Sequence, residues 1–170
     1  EAGYDATDHL IMQGCKNILI VTGNLKRNVY ANRYLGYKKA LKQNHIPFKK
    51  VNVFETTMET KNAIEVVEYI KNMDEPVDGL FVLGDSFAAH CMKELKKENF
   101  KIPKDIKIVG FNNDPITELI TPTLSTIEYP GYNMGLLAGE TIISQIKGNI
   151  NLHTTNTISL RHKLIVRESS

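Results

Sequence analysis

The chain has 170 residues, enough for one sizeable hydrophobic core or two small ones. Its 42% hydrophobic and 24% charged residues match an ordinary globular composition. With 21 basic against 19 acidic side chains and a net charge of +2, there is no global electrostatic push toward nucleic acid. Lysine clusters (Lys38, Lys39, Lys42, Lys49, Lys50 and Lys93, Lys96, Lys97) read as solvated faces. No apolar run approaches the ~20 residues that cross a bilayer, and polar, acidic residues 1–10 do not read as a signal peptide, so no membrane partner is expected.

Residues 5–13 are expected to form a helix, capped by Asp5 and ended by Gly14, with Ala6 and Leu10 on one face. Ile18 to Val21 is a short continuous apolar run, the pattern of a strand buried on both faces. Gly23 and Asn24 break it. A helix over 29–44 carries Tyr34, Tyr37 and Leu41 and stops at His45-Ile46-Pro47. Lys50 to Phe54 reads as a strand and Thr57 to Asn72 as an amphipathic helix on Ala63, Val67 and Ile70. Leu80–Leu83 is a further buried strand; Asp85 or Ser86 then caps a helix through Lys97.

Ile106 to Phe111 and Leu124 to Ile127 are the next strands, and Tyr132 to Lys147 is a helix with Gly148 beyond its end. Two terminal strands are expected at 157–160 and 164–166. Strands and helices alternate at βαβ spacing, which argues for a parallel sheet covered on both faces. Two helices fit poorly: those at 5–13 and 132–147 have apolar faces but lie in no complete βαβ unit.

From Ile102 to Gly135 a buried strand ends in amide and acid side chains, followed by a second strand, Pro-Gly and a helix start. Polar groups at the carboxyl ends of strands are where open α/β sheets hold small ligands. No nucleophile or acid–base array accompanies them, so no catalytic residues, metal or cofactor are assigned. The five histidines lack metal-ligand spacing, and neither a P-loop, a G-x-G-x-x-G nor a G-x-S-x-G is present. The two cysteines, Cys15 and Cys91, are far apart in sequence and read as reduced thiols of a cytoplasmic protein.

DATDHLIMQGCKNILIVTGN, NRYLGYKKALKQNHIPF, GLFVLGD, IPKDIKIVGFNND, TPTLSTIEYPGYNMG and LIVRESS, in that order, resemble the LacI/GalR family of bacterial transcriptional repressors from about Asp5 to Ser169. The resemblance implies an α/β, parallel-sheet fold like a type I periplasmic binding protein, a Rossmann-like three-layer sandwich, present mostly as its C-terminal subdomain. It divides the chain into a crossover helix (1–13), the C-terminal subdomain of an effector-binding domain (14–127), a crossover and helix of the N-terminal subdomain (128–155) and terminal strand segments (156–170). It implies a small-molecule effector, a homodimer, and operator DNA contacted only through a helix-turn-helix that these residues do not include; because the cleft candidates are mostly Arg, Asn and Asp, a sugar or sugar phosphate is the expected effector. The apolar face of the 132–147 helix is expected to find cover in a second copy.

By the same resemblance Arg33, in N-R-x-x-G-Y, hydrogen-bonds ligand oxygens with its rigid fork of donors. Arg27, with Val29 in the same loop, and Asn24 are further candidates. Asp85 either binds a ligand hydroxyl or caps its helix. Gly84 stands where some sugar-responsive members carry Asn. Asn112 stands where many members have Asp; an amide both donates and accepts, so it suits hydroxyls and disfavours an amine-rich ligand. Asn113 and Asp114 read as turn-formers before Pro115. Phe54, with Tyr30 and Phe87, either stacks on a ligand ring or packs in the core. Two rival readings share much of this pattern: a transport binding protein of the same architecture, which needs an export leader, and an enzyme on a Rossmann-like sheet, which needs a phosphate loop or catalytic dyad.

Overall fold

In the computed structural model the described residues are 1–148 and 158–170; His153 and Thr157 lie outside them. They form two compact units, Glu1–Glu128 with Leu164–Ser170, and Tyr129–Lys163. The first unit carries a sheet of β1 (Ile18–Thr22), β2 (Val53–Glu55), β3 (Gly79–Val82), β4 (Lys107–Asn112) and β5 (Ser125–Glu128). With β6 (Lys163–Ile165) the strand order is β2-β1-β3-β4-β5-β6. Strands β1 to β5 pair in parallel, with Leu19 opposite Leu80, Leu80 opposite Ile108 and Gly110 opposite Thr126.

The continuous apolar runs do what their composition demands: β1 and β3 are buried at every residue. Leu19, Val21, Leu80 and Val82 face a core closed by α3 (Asn62–Lys71) and α4 (Asp85–Lys97). Ile18, Ile20 and Phe81 face a second core closed by α1 (Ala2–Met12) and α2 (Asn28–Gln43). The result is the three-layer arrangement expected of a parallel sheet.

The opening helix finds its place here. Helix α1 starts three residues earlier than expected, so Asp5 lies inside it and does not cap it. Its Ala6 and Leu10 are fully buried in the second core, completing the layer that α2 begins. The two helices touch backbone to backbone. A Cβ on Gly3 would lie 2.1 Å from the Arg33 carbonyl oxygen, and one on Gly36 would lie 2.5 Å from the Tyr4 nitrogen. These two glycines therefore set the height at which α2 presents Arg33.

Other boundaries shifted for local reasons. Residues 50–52 form a 3₁₀ turn, which shortens β2. Helix α3 begins only at Asn62, whose Oδ1 accepts from the Thr57 hydroxyl and the Glu59 N–H and so holds the preceding residues in a side-chain-closed turn. A four-residue helix, α5 (Ile116–Leu119), follows Pro115 and was not anticipated. Residues 158–160 are irregular rather than strand.

The final residues, from Arg167 on, act as a strap. The Ile108 N–H donates to the Ser169 carbonyl at 2.8 Å, the Ser169 hydroxyl donates to the Ile108 carbonyl at 2.6 Å, and the Ser125 N–H donates to Ser169 Oγ at 2.9 Å. The second unit contains α6 (Gly131–Ile146), none of whose residues is fully buried. Met134, Leu137, Ala138, Thr141, Ile142, Ile158 and Leu160 line an apolar groove of about 430 Å³ within it.

Replacing Gly36 by Ala sets helix propensity against packing. Ala gains about 1 kcal/mol in a helix interior, whereas overpacking costs about 1–3 kcal/mol. Backbone atoms 2.5 Å from the new Cβ cannot rotate aside. Gly36→Ala is therefore expected to lower stability in urea denaturation, despite its better propensity.

Candidate functional site

Three of the sequence candidates meet at the carboxyl ends of β3 and β4. Arg33, on the second turn of α2, lays its guanidinium over the Phe111 ring with Cζ 3.5 Å from the ring centre. Its Nη1 donates to the Leu83 carbonyl at 3.2 Å. The guanidinium is thereby fixed between the end of β3 and the penultimate residue of β4. Asn112, the last residue of β4, follows Phe111 directly. Its side chain is half-buried and its amide has no hydrogen-bond partner among the described residues.

Asp85 is the third member, and its expected roles need correction. It is completely buried and presents no oxygen to the rim. It does not cap its helix either: Gly84 occupies the N-cap position, and the helix has no side-chain cap bond. Instead one carboxylate oxygen accepts from the Thr126 hydroxyl at 2.7 Å and the other from the Asp114 N–H at 2.9 Å. Asp85 thus ties the start of α4 to β5 and to the turn after β4.

This anchorage needs Gly110, because a Cβ there would sit 2.1 Å from Asp85 Oδ1. Burial raises the Asp85 pKa above its ordinary 3.8; the bonds from Thr126 and Asp114 favour the charged form and offset part of the rise. The folded chain therefore holds this proton more tightly than the unfolded chain. Its contribution to stability falls as pH climbs from about 3.8 toward the raised value, the sign opposite to that of a salt-bridged carboxylate.

The turn held by Asp85 has an unusual backbone. Asn112 has φ +124° and Asn113 φ +59°. Asparagine tolerates the left-handed region better than other non-glycine residues, and backbone held in sparsely populated regions clusters at ligand clamps. The Asn113 N–H donates to Thr126 Oγ1 at 3.3 Å, and its Oδ1 accepts from Arg167 Nη2 at 3.0 Å. Arg167 Nη1 also donates to the Leu124 carbonyl, so the carboxyl-terminal strap holds the turn from a second side.

A second group gathers at the carboxyl ends of β1 and β2. Gly23, Asn24, Arg27, Tyr30, Glu55, Thr56 and Thr57 line an open concavity of about 540 Å³, inside the usual range of about 300–1,000 Å³ for small-molecule sites. Tyr30 lies flat against Gly23, where a Cβ would meet its Cε2 at 2.5 Å. Asn24 Oδ1 accepts from the Lys26 N–H at 2.8 Å, which leaves the amide N–H₂ for other partners.

Phe54 does not line this concavity. Strand alternation turns it to the opposite face, where it packs on the α3/α4 core and meets Tyr69 edge-on at 5.0 Å between ring centres. Phe87 is 4% exposed within the same core. Of the three aromatic candidates, the geometry places only Tyr30 at a ligand-accessible edge. The sequence reading passed over Glu55, Thr56 and Thr57, although a polar run directly after an apolar strand is the signal used elsewhere. It also missed Thr126 and Arg167, whose roles depend on tertiary approach.

The fold matches that of known proteins. Residues 7–170 match the periplasmic binding protein-like domain. The NTD biosynthesis operon regulator NtdR of Bacillus subtilis (strain 168) is 32% identical over 170 residues, which are 100% of this chain and 51% of that protein. The ribose operon repressor of Haemophilus influenzae is 31% identical over 98% of this chain and 50% of that protein. The crystal structure of the transcription regulator CcpA of Lactococcus lactis superposes with a TM-score of 0.89 at 27% identity, covering 99% of this chain and 61% of that one.

The chain belongs to the LacI family. It carries that family's periplasmic binding protein-like domain and spans about half the length of the curated relatives it matches. Those relatives are transcriptional regulators. Among the described residues, no helix of this LacI-family chain is long and apolar enough to cross a membrane.

The anchor can be tested by Thr126→Val, which keeps the shape and removes the hydroxyl. A buried carboxylate oxygen then loses its donor, at a cost of about 1–3 kcal/mol. Urea denaturation is expected to show that loss, and the stability decline above pH 3.8 is expected to steepen because one contact favouring the charged carboxylate is gone.

Proposed function

We propose that the chain is the effector-sensing part of a LacI-type transcriptional regulator that binds a sugar or sugar phosphate and so modulates operator binding by the longer protein. The observation that carries this reading is the gathering of Arg33, Asn112, Asn24 and Arg27 along one carboxyl edge of a parallel sheet, the edge where such sheets bind ligands. A family relative named for a ribose operon supports the sugar class.

In this reading Arg33 and Asn112 bond ligand oxygens directly. Asp85 acts through the turn it anchors, holding Asn112 at the angle the ligand requires. Residues 14–127 supply one wall of the effector cleft, and α6 belongs to a second subdomain completed by chain outside these residues. The apolar face of α6 is covered there or by a second copy, and the working molecule is a cytoplasmic homodimer. Operator DNA is contacted by a helix-turn-helix outside this chain.

Regulation then requires only that ligand bind one conformation better than another. A differential of about 1–3 kcal/mol changes operator affinity roughly 5- to 150-fold.

A thermal-shift screen of the full-length protein against mono- and oligosaccharides and their phosphates tests the reading. Stabilisation by a member of that panel is expected, and Arg33→Ala is expected to abolish it while the unliganded protein stays folded. Stabilisation by purines or amino acids alone would reject the sugar class.

A further inference from the structure

The concavity at the ends of β1 and β2 holds two opposite charges that do not neutralise each other. Glu55 is the last residue of β2 and pairs in register with Thr22. Val53 packs in the core under α1 and α2, and Phe54 in the core on the other side. Alternation therefore places Glu55 on the same face as Tyr30 and Arg27 of the α2 entry. Neither Glu55 nor Arg27 has an ion-pair partner among the described residues, and both are exposed.

The rest of the lining is matched to a hydroxylated ring. The Tyr30 ring offers an apolar face, and the Asn24 amide nitrogen and the Arg27 guanidinium offer donors. A neutral sugar uses the donors but leaves the carboxylate with only ordinary hydroxyl partners. A sugar phosphate gains from Arg27 and meets repulsion from Glu55. A sugar bearing an ammonium group uses every element: the cation on Glu55, its hydroxyls on Arg27 and Asn24, its ring on Tyr30. Tyr30 also favours a nearby cation through its ring face.

Resting on the effector reading above, we infer that the effector is an aminated sugar, with Glu55 as the residue that selects the amine. The amide at Asn112 had argued against an amine-rich ligand; the carboxylate needed for one is supplied from β2 instead. Charge-assisted hydrogen bonds favour the aminated ligand over its hydroxyl counterpart by about 5- to 10-fold.

The test is calorimetric titration of the full-length protein at pH 6 with matched pairs: glucosamine and glucose, galactosamine and galactose, the glucosamine disaccharide of chitosan and cellobiose. At least one aminated member is expected to bind about fivefold or more tightly than its partner. Glu55→Gln is expected to erase that preference, and Glu55→Asp to keep part of it. Neutral members binding as well as or better than aminated ones, or a preference that survives Glu55→Gln, overturns the inference while leaving a sugar effector standing. Failure of every member to bind overturns the inference and leaves the sugar reading to the thermal-shift panel, which includes the phosphates.

Discussion

A carboxylate without a cation holds this site together. Asp85 is fully buried, and its two oxygens accept from Thr126 and from the Asp114 N–H. Burying an acid costs free energy unless donors meet it. Here the donors come from two other segments, so satisfying the charge also fixes where β3, β4 and β5 end relative to one another. Gly110 leaves the space for it, and Arg167 holds the same turn from the opposite side. Asn112, with its φ of +124°, is kept in place by these neighbours rather than by local preference.

Above this anchor the rim is chemically uneven. Near β4 it offers an amide and a guanidinium locked onto Phe111. Near β2 it offers a carboxylate, a second guanidinium and a tyrosine ring. Hydrogen-bond donors run along the whole edge, whereas the carboxylate stands at one end only. In the proposed reading, an effector that contacts both ends reports the spacing between them. That is the kind of geometric information a two-state regulator needs.

The sheet was readable because strands buried on both faces must be continuous apolar runs, and β1, β3 and β4 are such runs. That Arg33 and Asn112 lie at the carboxyl ends of strands was readable from strand-end polarity and the family's motifs. What escaped the sequence was set by tertiary approach. Asp85 looked like a ligand group or a cap because nothing in one dimension shows Thr126 lying against it. Phe54 looked available because its face depends on register, and Glu55 was overlooked beside it for the same reason. The α1 helix seemed out of place because its partner is α2, met through Gly3 and Gly36, rather than a flanking strand.

Native-state hydrogen exchange at the Asp114 amide tests the account most directly. This N–H lies outside the sheet, in the segment between β4 and α5, yet its only described acceptor is the buried Asp85 carboxylate. The account predicts that it exchanges as slowly as the β4 amides, with the same dependence on denaturant. Exchange at the rate of an unprotected loop amide would mean that Asp85 does not hold the turn, and would contradict the account.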